Sequence, residues 1–128
     1  MRLLLDTHLL LWTAGKSHML SQEAAELIAA SDNEIAYSVV ALWEIAIKNA
    51  LGRSDFRVDL RFLRRQLLEN GYRELSILGE HTIALEALPG HHKDPFDRLL
   101  VAQAMVESMT LLTADATLAS YGGPVRRV

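Results

Sequence analysis

Short apolar runs that each stop on a polar residue and hand over to a helix constrain this chain most. Arg2–Leu5 (RLLL) stops at Asp6, Glu34–Tyr37 (EIAY) stops at Ser38, and Thr110–Thr113 (TLLT) stops two residues before Asp115. Runs this short and this apolar suit strands buried on both faces. Tyr72–Ile77 reads as a further strand and Val125–Val128 as a frayed edge strand. Between them the spacing predicts helices over Thr7–Ala14, from Ser21 to Ala30, from Ser38 to Leu51, and over Leu60–Glu69, Gly79–Leu88, Pro95–Ser108 and Ala116–Tyr121. Ser21 and Ser38 are N-cap residues, Pro95 sits at a first helical position, and Gly52, Asn70-Gly71 and Pro89-Gly90 are stop signals. Gly52–Asp59 reads as a surface connection and His91-His92-Lys93 as a polar loop. Strands alternating with helices imply a parallel sheet with right-handed crossovers. The expected class is α/β, a three-layer sandwich with a central, mainly parallel sheet of four to five short strands flanked by helices. Ligands of such folds gather beyond the carboxyl ends of the strands.

Composition narrows the chemistry. A chain of 128 residues suits one domain, residues 1–128, which can bury roughly 65–70% of its unfolded surface. There is no cysteine, which removes disulfides, thiolate zinc sites, iron–sulfur clusters and cysteine nucleophiles, and leaves carboxylate and imidazole as metal ligands. The formal charge of −3 argues against a surface coated in cations for tight nonspecific DNA binding, while a local basic face stays possible. The longest apolar runs, such as Leu9–Trp12, fall far short of the ~18 residues that span a bilayer. Asp6 and His8 interrupt what would otherwise pass for a signal peptide, so the expected location is the cytoplasm, with no membrane partner.

The acids are placed unevenly. Asp6 follows the first strand and Asp115 the fourth; Glu44 lies on the polar stripe of the helix after Ser38, which is otherwise apolar nearly all round and so expected to be mostly buried; Asp94 and Asp97 open the helix that precedes the fourth strand. Each has an ordinary explanation. Asp6 suits a turn, Glu44 suits an i,i+4 pair with Lys48, Asp94 suits an N-cap with Asp97 in the first turn, and Asp115 suits a cap of the last helix. None of these explains why all of them fall at one edge. Carboxylates ~5 Å apart repel by about 3 kcal/mol at an effective dielectric of ~20, so a cluster calls for protonation or a cation. Oxygen donors without thiolate select Mg²⁺ or Mn²⁺ over Zn²⁺, and the matching reaction is phosphodiester hydrolysis.

The segments LLLDTHLLLW, SVVALWEIAIKNALG, HHKDPFDRLLVAQA and LLTADATL, in that order over nearly the whole chain, resemble a PIN-domain ribonuclease, and within that family the VapC toxins of bacterial toxin–antitoxin pairs. The resemblance implies a PIN-like sandwich, a Mg²⁺- or Mn²⁺-dependent endoribonuclease that cuts RNA, a homodimer, and inhibition by a small VapB-type antitoxin. Carried over position by position, it makes Asp6, Glu44, Asp97 and Asp115 catalytic residues and metal ligands. Asp94 matches the extra acid of the DPFDR subgroup, as ligand, supporting partner or cap, and Thr113 matches a hydroxyl position that orients a carboxylate or water.

For RNA contact the expected residues are Lys48, Arg61, Arg64, Arg65 and Arg98. Between Lys48 and Arg73 seven basic residues face three acids, and Arg61, Arg64 and Arg65 share one helical face at i, i+3 and i+4. Arg98, beside Asp97, is placed for a scissile phosphate; a solvated face or a docking patch for an acidic partner is the competing reading. Trp12 and Trp43 lie in apolar stretches and are expected in the core, and His8, His91 and His92 rank below the acids as ligands. An aspartyl phosphatase is disfavoured because Asp6-Thr7-His8 lacks a second acid two residues on. A noncatalytic binding module, its acids serving only as caps, and a housekeeping nuclease without antitoxin are the remaining alternatives.

Overall fold

A computed structural model describes residues 1–52, 56–90 and 93–128. Its strands are β1 (Arg2–Leu5), β2 (Glu34–Ser38), β3 (Arg73–Leu75), β4 (Thr110–Thr113) and β5 (Val125–Arg127). Its helices are α1 (Thr7–Gly15), α2 (Gln22–Ala29), α3 (Val39–Ala50), α4 (Leu60–Glu69), α5 (Gly79–Ala84), α6 (Pro95–Glu107) and α7 (Ala116–Ala119). The strands form one five-stranded, all-parallel sheet in the order β3-β2-β1-β4-β5. The expected three-layer α/β architecture is therefore present, and the frayed segment at the end of the chain is a true edge strand.

Period-2 alternation divides the core between the faces of this sheet. Leu3, Leu5, Ile35, Tyr37 and Leu112 point to one side, where α1, α3 and α4 add Leu9, Leu10, Ile45, Leu63 and Leu67. Leu4, Ala36 and Leu111 point to the other, against Leu99, Leu100 and Ala104 of α6 and Leu118 of α7. A polar strut crosses between helices within this packing. Ser38 caps α3 by accepting the Val40 N–H (3.0 Å) and donates its own hydroxyl to Gln103 Oε1 of α6 (2.5 Å), while Gln103 Nε2 donates to the Ser76 carbonyl (3.2 Å). The ends of β2 and β3 and the middle of α6 are thereby tied together.

The departures from expectation have local causes. β3 is shorter than Tyr72–Ile77, and the helix expected over Gly79–Leu88 stops at Ala84 and tightens into a single 3₁₀ turn, Leu85–Ala87, before Pro89. The helix α3 is not buried nearly all round: Trp43, Ala46, Ile47 and Ala50 are exposed along one stripe. Asn49 closes the connection after α3, its side chain donating to the Val58 carbonyl (2.8 Å) and accepting the Val58 N–H (3.0 Å). The expected loop at His91-His92 lies outside the described residues. Among the described residues no helix is long and apolar enough to cross a membrane.

Candidate active site

The order of the strands explains where the acids meet. The chain builds outward from β1 through β2 to β3, then returns to the other side of β1 with β4 and β5. The connections after β1 and β4 diverge, which leaves a crevice at their carboxyl ends. Asp6 and Asp115 lie on the two sides of that crevice.

Asp6 has two tasks. Its Oδ1 caps α1 by accepting the Leu9 N–H (2.8 Å), and its Oδ2 accepts the Thr113 hydroxyl (2.5 Å). Thr113 Oγ1 in turn accepts the Asp115 N–H (3.0 Å). The hydroxyl proton is committed to Asp6, so one threonine bridges the two acids and fixes the orientation of the first. Asp6 is 3% exposed. Burial pushes its carboxyl above the usual aspartate range; the Thr113 and Leu9 hydrogen bonds and His8 pull it down, and the neighbouring charge of Asp115 pushes it further up. Asp115 is exposed and caps α7 through the Thr117 N–H (2.8 Å).

Glu44 reaches the same rim from α3. It is buried, with Oε1 accepting the Thr7 hydroxyl (2.7 Å) and Oε2 paired with Lys48 Nζ (3.2 Å). Thr7 directly follows Asp6, so adjacent residues at the head of α1 connect to both acids. This residue was missed in the sequence, although a threonine beside an acid at the first position of a helix was a visible cue, as it was for Thr113. Asp94 and Asp97 stand at the head of α6, where Asp94 Oδ1 accepts the N–H groups of Phe96 (2.9 Å) and Asp97 (3.3 Å). Asp94 thus caps α6. α3 and α6 touch there, with the Trp43 and Phe96 rings edge to face at 4.8 Å. Each of these aromatics immediately precedes an acid, Glu44 and Asp97 respectively. Trp43, expected in the core, is 51% exposed because this contact covers only part of its ring.

Among the described residues no three carboxylate or imidazole side chains converge closely enough to hold a metal ion together. The bridged pair Asp6–Asp115 is the most closely connected part of the constellation, and its donors suit a hard divalent cation: they are oxygens, and positive charge would relieve a carboxyl raised by burial and by a neighbouring anion.

The basic residues differ in how the protein itself engages them. Arg64 grips Glu74 with two bonds, Nε to Oε2 (2.7 Å) and Nη2 to Oε1 (3.0 Å), and Tyr37 donates to the same carboxylate (2.6 Å). Arg98 donates to the Pro89 carbonyl (2.9 Å), the Leu85 carbonyl (3.4 Å) and Tyr121 Oη (3.1 Å), tying the segment before α6 to the loop after α7. Both were expected at RNA phosphates, and both are taken up by the protein itself. Lys48 lies between Glu44 and the Phe56 ring, 5.8 Å from its centroid. Arg61 and Arg65 are exposed on α4.

Comparison with known proteins identifies the family and the fold. The model of the PIN domain family matches residues 3–124. Ribonuclease VapC22 of Mycobacterium tuberculosis is 30% identical over 122 residues, covering 94% of this chain and 92% of that protein. In fold, the chain is similar to the crystal structure of VapBC2 from Rickettsia felis bound to a DNA fragment from their promoter, with a TM-score of 0.71 at 14% identity, covering 100% and 99% of the two chains. VapBC-5 of Mycobacterium tuberculosis, a member of the VapBC family of toxin–antitoxin systems, gives a TM-score of 0.61 at 20% identity, covering 99% and 97%. The chain belongs to the PIN-domain family.

Proposed function

We propose that the chain is a Mg²⁺- or Mn²⁺-dependent endoribonuclease, the toxin of a pair whose partner is a small VapB-type antitoxin. The observation that carries this reading is the Thr113 bridge between Asp6 and Asp115 at the divergence of β1 and β4. A bound divalent cation supplies Lewis acidity toward the phosphate and an acidified water as nucleophile. Asp6 and Asp115 would hold it, with Glu44 and Asp97 facing it from α3 and α6. Thr113 and Thr7 fix the rotamers of Asp6 and Glu44, so these carboxylates need little rearrangement when the cation and RNA arrive. Asp94 serves as the cap that sets the start of α6. Lys48, Arg61 and Arg65 are the candidates for phosphate contact. The name of the Mycobacterium relative and the toxin–antitoxin assemblies among the similar structures support the ribonuclease and antitoxin parts of the reading.

Asp6→Asn tests it cleanly, because asparagine still caps α1 through Oδ1 while losing the charge. RNA cleavage is expected to vanish with cooperative unfolding retained, and the rise in melting temperature that millimolar Mn²⁺ gives the wild type is expected to disappear. Full cleavage by Asp6→Asn would overturn the assignment. A binding module whose acids only cap helices predicts no Mn²⁺ stabilisation in either protein.

A further inference from the structure

Beside α1 runs a cleft of about 500 Å³ that the acids do not enter. Trp12, Phe56 and Phe62 contribute aromatic surface to it, and Lys16, Lys48 and Arg57 contribute cations, against Asp59 as the one carboxylate among the described residues that line it. These groups come from α1, α3, the segment before α4, and α4 itself, so no single stretch of sequence announces them. In a chain of formal charge −3 this is a local excess of positive charge. Lys16 and Arg57 are exposed, and no ion pair engages either among the described residues. The cleft also adjoins the acidic rim at two places. Lys48 lines it while bonding Glu44, and His8 lines it while its charge acts on Asp6.

We propose that this cleft is a subsite for an unpaired nucleotide of the RNA, next to the phosphate that is cut. The proposal rests on the nuclease reading above and names the part of the substrate that the site takes. The volume falls in the range of small-ligand pockets, roughly 300–1,000 Å³. Unpaired bases are held by stacking on aromatic rings, and single strands by cations that follow the backbone. Here the rings take the base while Lys16 and Arg57 face its phosphate. A paired base stays stacked on its neighbours and cannot present a face to the rings, so the cleft selects single-stranded RNA. The expected row of cations on α4 has its middle member, Arg64, locked to Glu74, which leaves the cleft as the continuous basic path to the acids.

The test measures binding of a short labelled oligouridylate in buffer with EDTA, where no cutting occurs, alongside Mn²⁺-dependent cleavage. The variants are Phe62→Ala and the double change Lys16→Ala/Arg57→Ala, all at exposed positions that carry little of the core. Phe62→Ala is expected to weaken binding about tenfold through lost stacking. The double variant is expected to flatten the dependence of log affinity on log salt by about 1.4, roughly 0.7 for each lost contact to a single strand. A duplex of the same length should bind the wild type and Phe62→Ala alike. Wild-type affinity and salt slope in both variants, with cleavage intact, would overturn the subsite and leave the nuclease standing. Unchanged RNA binding together with loss of a co-expressed antitoxin would overturn it in favour of a protein segment. Cleavage by Asp6→Asn would instead remove the nuclease reading, and the binding data would still report whether the cleft takes a base.

Discussion

Asp6 carries a conflict that single-residue substitutions can expose. It sits almost fully buried, its carboxyl raised by desolvation and by Asp115, yet the proposed chemistry needs it ionised. Because the folded form holds the proton more tightly than the unfolded chain, its relative contribution to stability is fully present below the unperturbed value of 3.8 and is lost as pH rises through the folded value. Without metal at pH 7, Asp6→Asn is therefore expected to be more stable than the wild type to urea, and the difference should shrink toward zero as pH falls below 3.8. Equal stability of the two proteins at neutral pH would show that the cap and the Thr113 bond fully compensate for burial. With Mn²⁺ the order should reverse, since only the charged form gains from the cation. The two threonines matter at this scale too. Each donates its single proton to one acid, Thr113 to Asp6 and Thr7 to Glu44.

Among the elements, α6 ends in a manner its sequence does not favour. Ser108 caps it in the left-handed region at φ 55° and is exposed, where glycine pays no steric penalty. Ser108→Gly should stabilise the protein by about 1 kcal/mol, read as a higher urea midpoint at unchanged slope; no change would mean that the unfolded chain gains as much freedom as the native turn loses strain. Much of the element pattern was legible, because caps and strand ends are written locally. Ser21, Ser38, Asp94 and Asp115 all cap the helices expected of them. The positions of the candidate acids were legible for the same reason, since most of them stand at the end of a strand or the head of a helix. What local signals do not contain is the order of the strands, which depends on pairings such as Leu4 with Leu111. They also missed the bidentate hold of Glu74 on Arg64, formed between a helix and a strand, and the gathering of Lys16 and Arg57 at one cleft. Nor does periodicity distinguish a helix face that packs inside the molecule from one left outside it, which is why α3 was expected to be buried.

For the whole molecule, that outer face of α3 bears on assembly. Trp43, Ala46, Ile47 and Ala50 are spaced as i, i+3, i+4 and i+7, and the two alanines allow close approach of another helix. The family resemblance implies a homodimer, and this seam is a surface on which that expectation can be tested. Ile47→Glu places a charge there at a site 38% exposed in the single chain, so it should convert a dimer to a folded monomer in sedimentation equilibrium; an unchanged mass would locate the contact elsewhere. The bridge from Thr113 to Asp6 has a further consequence, because it joins residues 107 positions apart. During synthesis Asp6 leaves the ribosome 107 residues ahead of its partner threonine and still further ahead of Asp115. A nascent chain therefore holds Asp6 without the hydroxyl that orients it, and the bridged pair cannot form before β4 and the turn after it have emerged.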